Sequence, residues 1–312
     1  MKVAVVQIAP VLLDKKATFE KVEARIAEAA AAGASLVTFG EATVPGYPWW
    51  VERTDGARWD APQSKKLYAK YATEAVNIDR DLAGVQALAS SLKITVVLGV
   101  IERSGHSLYC TALTISNAGV LENVHRKLMP TFEERLVWAQ GDGHGLKVSS
   151  VGEFSMGVLN CWENWMPLAR TSLYAQGENL HVSIWPGCFR NTQDLMRFIA
   201  LESRSFVVGA CNLMSKDILK SAPDFDGKEV MLAEMEKRGE DWIADGGSCV
   251  CGPDGNWIIP PFVKREGIEY ADIEMDRVLE ERQNFDVTGH YSRPDVLSLK
   301  VNRQRLSTVT YE

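Results

Sequence analysis

The sequence predicts a single α/β domain of 312 residues built on mixed β-sheets. Strand-like apolar runs alternate with helical patterns along the whole chain, which is typical of sheets covered by helices. Several of these runs are apolar without interruption, as expected of strands that are buried on both faces. Two turn sequences between such runs predict hairpins, so antiparallel pairs should accompany parallel ones. No linker-like stretch divides the chain, and we expect residues 1–312 to form one domain.

The individual elements follow from the period of the apolar residues and from turn chemistry. Strands are predicted at 2–9, 35–39, 94–101, 108–116, 155–160, 180–185, 207–213, 247–252 and 268–273. Helices are predicted at 15–32, 81–92, 166–176 and 192–205, and hairpin turns at 117–119 and 253–255. The first helix is rich in alanine, and Gly33 can end it because glycine adopts the left-handed conformation found after many helices.

One segment departs from the alternating pattern. Residues 215–245 are rich in Lys, Asp and Glu. A charge run usually lies in solvent, so this segment predicts a surface insertion, with a helix at about 226–238.

Composition excludes several classes of function. The net charge of −7 and the pI near 5.4 argue against a general nucleic-acid binder, which needs a basic face to neutralise phosphates. No apolar run approaches the roughly 18 residues of a membrane span, so no membrane partner is predicted. The N-terminal residues form a strand pattern and lack the regions of a signal peptide, so we expect a cytoplasmic protein.

Cysteine and histidine do not predict a metal site. The six cysteines are too dispersed for a disulfide scaffold, and most lie in apolar strand-like runs where a reduced thiol acts as a small hydrophobe. Cys249 and Cys251 flank a single valine, a spacing that fits no common zinc pattern. The five histidines do not cluster at metal-ligand spacing either. We therefore predict no metal and no cofactor.

The most informative stretch is FSMGVLNCWENW at 154–165, where an apolar strand pattern stops at Cys161. A helix pattern beginning near Pro167 follows almost at once. Backbone N–H groups and the helix dipole would favour thiolate at such a position, which makes Cys161 a candidate nucleophile. A small buried residue at the end of a strand is an equally good interpretation of this segment alone.

Two other strand ends carry charged residues. Glu41 directly follows the buried strand at 35–39 and precedes a turn rich in proline and glycine. It is either a solvated loop carboxylate or a desolvated one with a raised pKa, suited to act as a general base. Lys127 ends a strand in the stretch HRKLMPTFEER, where a lone lysine would ordinarily be a surface charge.

Taken together, these three strand ends resemble the Glu-Lys-Cys machinery of the nitrilase superfamily of carbon–nitrogen hydrolases. The resemblance runs from the first strand through FGEATVPGYP, HRKLMPTFEER and NCWENWMPL to GHYSRPDVLSL at 289–299, and so covers nearly the whole chain. Three ordered motifs are far more specific than any one of them. The resemblance implies catalytic roles for Glu41, Lys127 and Cys161.

The resemblance also implies a second glutamate, and it shows one departure. Glu134 matches the family's second catalytic-site glutamate and would orient Lys127, with Glu133 as the alternative if the register is off by one. The family usually has proline before the first glutamate, where this chain has Gly40. Because glycine is conformationally permissive, Glu41 would be held less rigidly.

The residues around the cysteine favour the nitrilase branch. Trp162 and Glu163 after Cys161 resemble the signature of nitrilases, whereas amidase branches tend to carry Tyr or Arg followed by Asp. Aromatic residues near the motifs would suit an apolar nitrile, although several of them would equally fill a core or a subunit interface. The predicted substrate-binding residues are Tyr47, Trp162, Glu163, Trp185 and Pro186.

The resemblance further implies a fold, an assembly and a reaction. The fold would be a four-layer αββα sandwich with two mixed sheets. Subunits would pair into a homodimer or a larger, spiral oligomer, with the helix near 166–176 and the C-terminal segment 284–312 at an interface. The activity would be hydrolysis of a nitrile through a cysteine thioimidate and thioester. The alternatives are an amidase or N-carbamoyl hydrolase, a cyanide-hydrolysing enzyme and a non-catalytic assembly module.

Overall fold

Two β-sheets lie face to face between outer layers of helices in the computed structural model, which describes residues 1–307 and 309. The strands are, in chain order, β1 (Lys2–Gln7), β2 (Leu36–Thr38), β3 (Thr95–Ser104), β4 (Ser107–Ile115), β5 (Leu121–Arg126), β6 (Ser149–Val151), β7 (Phe154–Asn160), β8 (Leu180–Trp185), β9 (Phe206–Cys211), β10 (Leu213–Ser215), β11 (Trp242–Cys251), β12 (Trp257–Val263) and β13 (Gly267–Asp272).

The helices are α1 (Lys15–Ala31), α2 (Trp50–Arg53), α3 (Pro62–Glu74), α4 (Ala83–Leu92), α5 (Pro167–Tyr174), α6 (Phe189–Thr192), α7 (Leu195–Ser203), α8 (Lys216–Ser221), α9 (Lys228–Arg238) and α10 (Met275–Arg282). Short 3₁₀ helices form at Phe132–Leu136, Gly143–Gly145 and Cys161–Trp165. None of the helices in the described part of the chain is long and apolar enough to span a membrane.

Both sheets combine parallel and antiparallel strands. The first has the order β13-β1-β2-β3-β4-β5, and the second has the order β10-β11-β9-β8-β7-β6 with β12 paired to β11. Strands β1, β2 and β3 are parallel, and so are β7, β8 and β9. The hairpins β3–β4, β4–β5 and β11–β12 add antiparallel pairs. The predicted mixed sheets are therefore confirmed.

The sheets and helices form four layers because each buries its apolar face against a neighbouring layer. Valines on the inner faces of both sheets, such as Val5 and Val182, share one core between the sheets. Val22 and Ile26 of α1 pack on the outer face of the first sheet. Ile199 of α7 packs with Val207 on the outer face of the second sheet. Burial of these apolar faces is the main favourable term in folding, and it confirms the predicted αββα sandwich.

Local signals explain several of the element ends. The side chain of Asp14 caps α1 by accepting from the N–H of Ala17 at 2.9 Å, and Gly33 follows this helix with φ +82°. The glycines of the two predicted hairpin turns, Gly119 and Gly255, also have positive φ values of 77° and 75°. A glycine in this region avoids the steric cost that a side chain would bring.

Some sequence predictions need correction. The helix predicted over 192–205 is present as α7, and the short helix α6 before it was not predicted. The strand predicted over 207–213 is divided into β9 and β10 at Asn212. Helix α3 was not predicted; its apolar residues are sparse, and only Leu67 and Tyr71 are buried. The helix expected at about 226–238 is present as α9.

The charged segment 215–245 is more than a surface insertion. Most charged residues of its helices are exposed, but Leu219, Met231 and Met235 are fully buried. They pack in a cluster with Trp50 and Tyr71, close to the loop that follows β2. The segment thus covers one side of the molecule with an apolar face that its overall composition conceals.

The sheets place three loop starts at one edge of the sandwich. Strands β2 and β5 of the first sheet end just before Glu41 and Lys127, and β7 of the second sheet ends just before Cys161. A hydrogen bond of 3.0 Å from the N–H of Glu41 to the carbonyl of Trp185, at the end of β8, joins the two sheets there. The predicted site therefore lies at this edge.

Candidate active site

A buried lysine lies between two carboxylates at this edge. The Nζ atom of Lys127 donates to Oε1 of Glu41 at 3.1 Å and to Oε2 of Glu134 at 2.8 Å. All three side chains are at most 1% exposed. One carboxylate oxygen of Glu41, one of Glu134 and the Sγ atom of Cys161 lie within 4.8 Å of one another. The structure thus brings together the four residues that the sequence singles out.

The backbone around Glu41 is fixed by close packing. Its carbonyl accepts from Nδ2 of Asn212 at 2.7 Å, and a Cβ built on Gly40 would lie 2.7 Å from the side chain of Asn212 and 2.8 Å from the carbonyl oxygen of Trp185. Glycine is therefore needed at position 40 for close approach. The expectation that it would loosen Glu41 is wrong.

The carboxyl of Glu41 is suited to exchange a proton. Burial raises the pKa of Glu41 to about 8, even though the neighbouring Lys127 ammonium lowers it. Its Oε2 atom is buried and accepts no hydrogen bond from the described residues. Of the two interpretations that the sequence allows for Glu41, the structure shows the desolvated carboxylate. A carboxyl group with a free oxygen and a pKa near neutrality can act as a general base.

Lys127 is held as a cation. Burial alone would lower its pKa, but the negative charges at Cys161, Glu41 and Glu134 outweigh burial and raise the pKa of Lys127 well above its usual value. The ring of Trp138 lies 5.5 Å from Nζ and adds a cation–π contact. A fixed ammonium in a dry site stabilises negative charge that develops beside it.

The second glutamate is placed by a capping box. The N–H of Thr131 donates to Oε2 of Glu134 at 2.6 Å, and the Thr131 side chain accepts from the N–H of Glu134 in return. The Tyr47 hydroxyl donates to Oε1 of Glu134 at 2.9 Å. The alternative, Glu133, is only half-buried and lies 3.4 Å from the same hydroxyl. Glu134, and not Glu133, contacts Lys127.

Cys161 begins a sharp turn between β7 and a 3₁₀ helix, with φ +49°. Non-glycine residues seldom adopt positive φ values, and such strain is concentrated at functional sites. Burial raises the pKa of the Cys161 thiol well above its usual value, and Glu41 and Glu134 raise it further despite the opposing effect of Lys127. The backbone N–H of Trp162 does lower this pKa, as the strand-end position predicts, but burial and the two carboxylates outweigh it.

The predicted substrate-binding residues lie in different environments. Tyr47 is buried beside Glu134, and Trp162 is 48% exposed. The indole of Trp185 is fully buried, donates to Ser183 and packs in the outer core near Cys161. Pro186 is buried directly after it.

The fifth predicted substrate-binding residue, Glu163, is turned into the protein. Its carboxylate accepts hydrogen bonds from the backbone N–H groups of Leu128 and Asn160 and contacts His125. This side chain is 1% exposed. These contacts give Glu163 a structural environment without an oxygen free for a ligand.

The donor set formed by Glu41, Glu134 and Cys161 has the spacing of a metal site. The Lys127 ammonium already contacts both carboxylates, at distances of 2.8–3.1 Å. It supplies the positive charge that a metal ion would bring. The donor set therefore fits a reaction in which the Lys127 ammonium supplies the positive charge.

Sequence reasoning missed the residues that support the site from a distance. Asn212 contacts the backbone of Glu41, and Trp138 lies beside Lys127. Asn212 is far from every motif and Trp138 follows the lysine motif by three residues, but no local signal distinguishes either of them. The capping-box patterns Thr131-x-x-Glu134 and Asn160-x-x-Glu163 are visible in the sequence. The first would have chosen between Glu133 and Glu134, and the second would have assigned Glu163 a local structural role.

Known proteins resemble this chain over its whole length. Residues 2–283 match the carbon-nitrogen hydrolase family. The chain is 35% identical to nitrilase 2 of Arabidopsis thaliana over 100% of its length and 91% of the relative's. It is 36% identical to an aliphatic nitrilase of Sinorhizobium fredii, covering 99% of this chain and 97% of the relative.

The fold comparison agrees with this result. A crystal structure of a carbon-nitrogen hydrolase from Helicobacter pylori superposes with a TM-score of 0.73 at 18% identity, covering 95% of this chain and 96% of the other. That likeness concerns the fold alone. The sequence matches confirm the predicted superfamily and branch: this chain belongs to the carbon–nitrogen hydrolase family, in its nitrilase branch.

Proposed function

We propose that this protein is a nitrilase that converts an organic nitrile and two water molecules into a carboxylic acid and ammonia. One observation carries the proposal: the Lys127 ammonium is held between Glu41 and Glu134, with the Cys161 thiol within 4.8 Å of oxygens of both. This arrangement supplies a nucleophile, a base and a fixed cation in one buried site. The proposed catalytic residues are these four.

The first half of the reaction forms a thioimidate. Glu41 takes the thiol proton as the Cys161 sulfur attacks the nitrile carbon, so that an S–C bond forms while one C–N π bond breaks. Lys127 stabilises the nitrogen as it gains charge, and the nitrogen then receives the proton held by Glu41. Glu134 keeps Lys127 in place. Because burial raises the pKa of the Cys161 thiol, we propose that the proton moves to Glu41 as the sulfur attacks.

The second half releases both products. Water, activated by Glu41, adds to the thioimidate carbon to give a tetrahedral intermediate. Its C–N bond breaks, ammonia leaves and a thioester remains. A second water then adds to the thioester, and cleavage of the C–S bond releases the acid and restores the thiol. The backbone N–H of Trp162, the residue directly after Cys161, is the proposed donor to the developing negative charge.

The test compares a nitrile with its matching amide. We expect ammonia release from the nitrile, and we expect Cys161→Ala to abolish it while the thermal unfolding midpoint stays within a few degrees. An enzyme that consumes only the amide would instead be an amidase. Near wild-type turnover by Cys161→Ala would refute the assignment of the nucleophile.

We also propose that the protein is a homo-oligomer, a dimer or larger, and that it is cytoplasmic. Apolar residues are exposed on and around α5 and in the C-terminal segment, including Trp165, Leu168, Tyr291 and Leu297. Large exposed apolar patches mark interaction sites. The predicted interface segment 284–312 has no helix or strand among its described residues, and Thr308 and residues 310–312 lie outside them. Sizing chromatography that gives an active monomer would contradict this assembly.

A further inference from the structure

We propose that Glu163 is a positioning residue, which ties the strand end that carries Lys127 to the strand end that carries Cys161 and so sets the geometry between cation and nucleophile. The inference rests on the roles proposed above for Lys127 and Cys161. It replaces the predicted contact between Glu163 and the substrate.

Glu163 binds the backbone beside both Lys127 and Cys161. Its Oε1 atom accepts from the N–H of Leu128, the residue after Lys127, and its Oε2 atom accepts from the N–H of Asn160 at 2.8 Å, the residue before Cys161. These groups lie just past β5 and at the end of β7, strands that belong to different sheets. One carboxylate therefore connects the two sheets directly beneath the reacting groups.

The contacts of Glu163 keep this carboxylate ionised. Oε2 also lies 3.0 Å from Nε2 of His125, and both side chains are fully buried. Because Oε2 also accepts from the Asn160 N–H, an ionised carboxylate requires that Nε2 of His125 carry a proton and donate it. Burial raises the pKa of Glu163, but His125 and the two N–H groups outweigh burial, so that the pKa lies below its usual value. Glu163 thus stays ionised and receives three hydrogen bonds.

Neither glutamine nor aspartate can make both of these bonds in the same way. Glutamine has one carbonyl oxygen, so its NH₂ group would face one of the two backbone N–H groups in either orientation. Aspartate is one methylene shorter and cannot keep both bonds without moving a strand end. Misplacement of about 1 Å can cost roughly 100-fold in rate.

The chain offers a matched control in Glu102. Its carboxylate is also buried, at 1% exposure, and it pairs with Arg126, whose Nε donates to it at 2.9 Å. Glu102→Gln therefore removes a buried charge from β3 without removing a partner of the Leu128 or Asn160 N–H group. Both glutamine variants should lose stability. Glu102→Gln leaves the Arg126 guanidinium with a weaker partner, and Glu163→Gln leaves one backbone N–H group without an acceptor.

The experiment measures kcat and KM on one nitrile, the rate at which iodoacetamide alkylates Cys161, and the thermal midpoint. For Glu163→Gln we expect kcat to fall by roughly 10- to 100-fold with KM within about threefold, and alkylation to slow. For Glu102→Gln we expect kcat within about threefold of wild type. Equal kcat losses in both variants, or a Glu163→Gln effect mainly on KM, would overturn the inference.

The experiment also distinguishes a variant that does not fold from a failure of the proposed function. If Glu163→Gln does not fold, His125→Phe replaces it, because it keeps a ring and both backbone bonds while removing one donor. We then expect a smaller loss in kcat at unchanged KM, and an unchanged kcat would overturn the inference. If wild-type protein releases no ammonia from any nitrile, the proposed function fails, and the alkylation rates alone decide the role of Glu163.

Discussion

Replacing Gly40 with alanine should impair the enzyme by displacing Glu41. A Cβ at this position would lie 2.7 Å from two atoms of the Asn212 side chain and 2.8 Å from the Trp185 carbonyl oxygen. Ordinary contacts need about 3.5 Å, so each neighbour would have to move by roughly 0.7 Å. The Asn212 side chain donates to the carbonyl of Glu41, and the N–H of Glu41 donates to the carbonyl of Trp185. The displacement is therefore passed directly to the proposed base.

The size of the effect follows from these contacts. Overpacking of this kind typically costs about 1–3 kcal/mol in stability. A shift of under 1 Å in a reacting group can cost up to roughly 100-fold in rate, so we expect kcat to fall by roughly 10- to 100-fold. The loss should appear mainly in kcat. Gly40 has no side chain to contact the substrate, and the added Cβ would act by displacing Glu41.

The assay is ammonia release from a nitrile, together with thermal unfolding. Gly267→Ala in β13 is the matched control, because its added Cβ would approach only the flexible end of Arg265, at 3.2 Å. The control should keep wild-type turnover. A Gly40→Ala enzyme with kcat within twofold of wild type and an unchanged midpoint would show that the loop around Glu41 yields easily, and our reasoning would be refuted.

Further predictions concern the same site. The value of kcat/KM should rise with pH towards a plateau above about pH 8. Burial raises the pKa of Glu41 to about 8, and this base must be unprotonated to act. A plateau already reached at about pH 6 would contradict this. Lys127→Met should abolish turnover by removing the cation between the carboxylates, as measured by ammonia release, whereas substantial residual activity would argue against its role. Gly99→Ala should destabilise the protein strongly, since its Cβ would lie 2.7 Å from the Cα of Glu41, and a melting point equal to that of wild type would contradict the packing described.

The sequence predicted the fold class because the two sheets are built from long, uninterrupted apolar strands. Their period and spacing are local properties that can be read without a structure. The segment 215–245 shows where this reasoning fails, since Met231 and Met235 are buried although their helix is largely charged. A short buried stripe in a charged helix becomes visible only when the surface that it covers is known.

The sequence by itself determined that Glu41, Lys127 and Cys161 each follow a strand, because strand ends and motifs are properties of neighbouring residues. The tertiary structure decided that these strand ends meet, in two sheets, with Asn212 and Glu163 holding the backbone around them. It also decided the charge state. Burial and neighbouring carboxylates raise the pKa of the Cys161 thiol, and these depend on residues far apart in the chain. Electrostatic energies are set by distance and burial in space, which a linear order of residues does not specify.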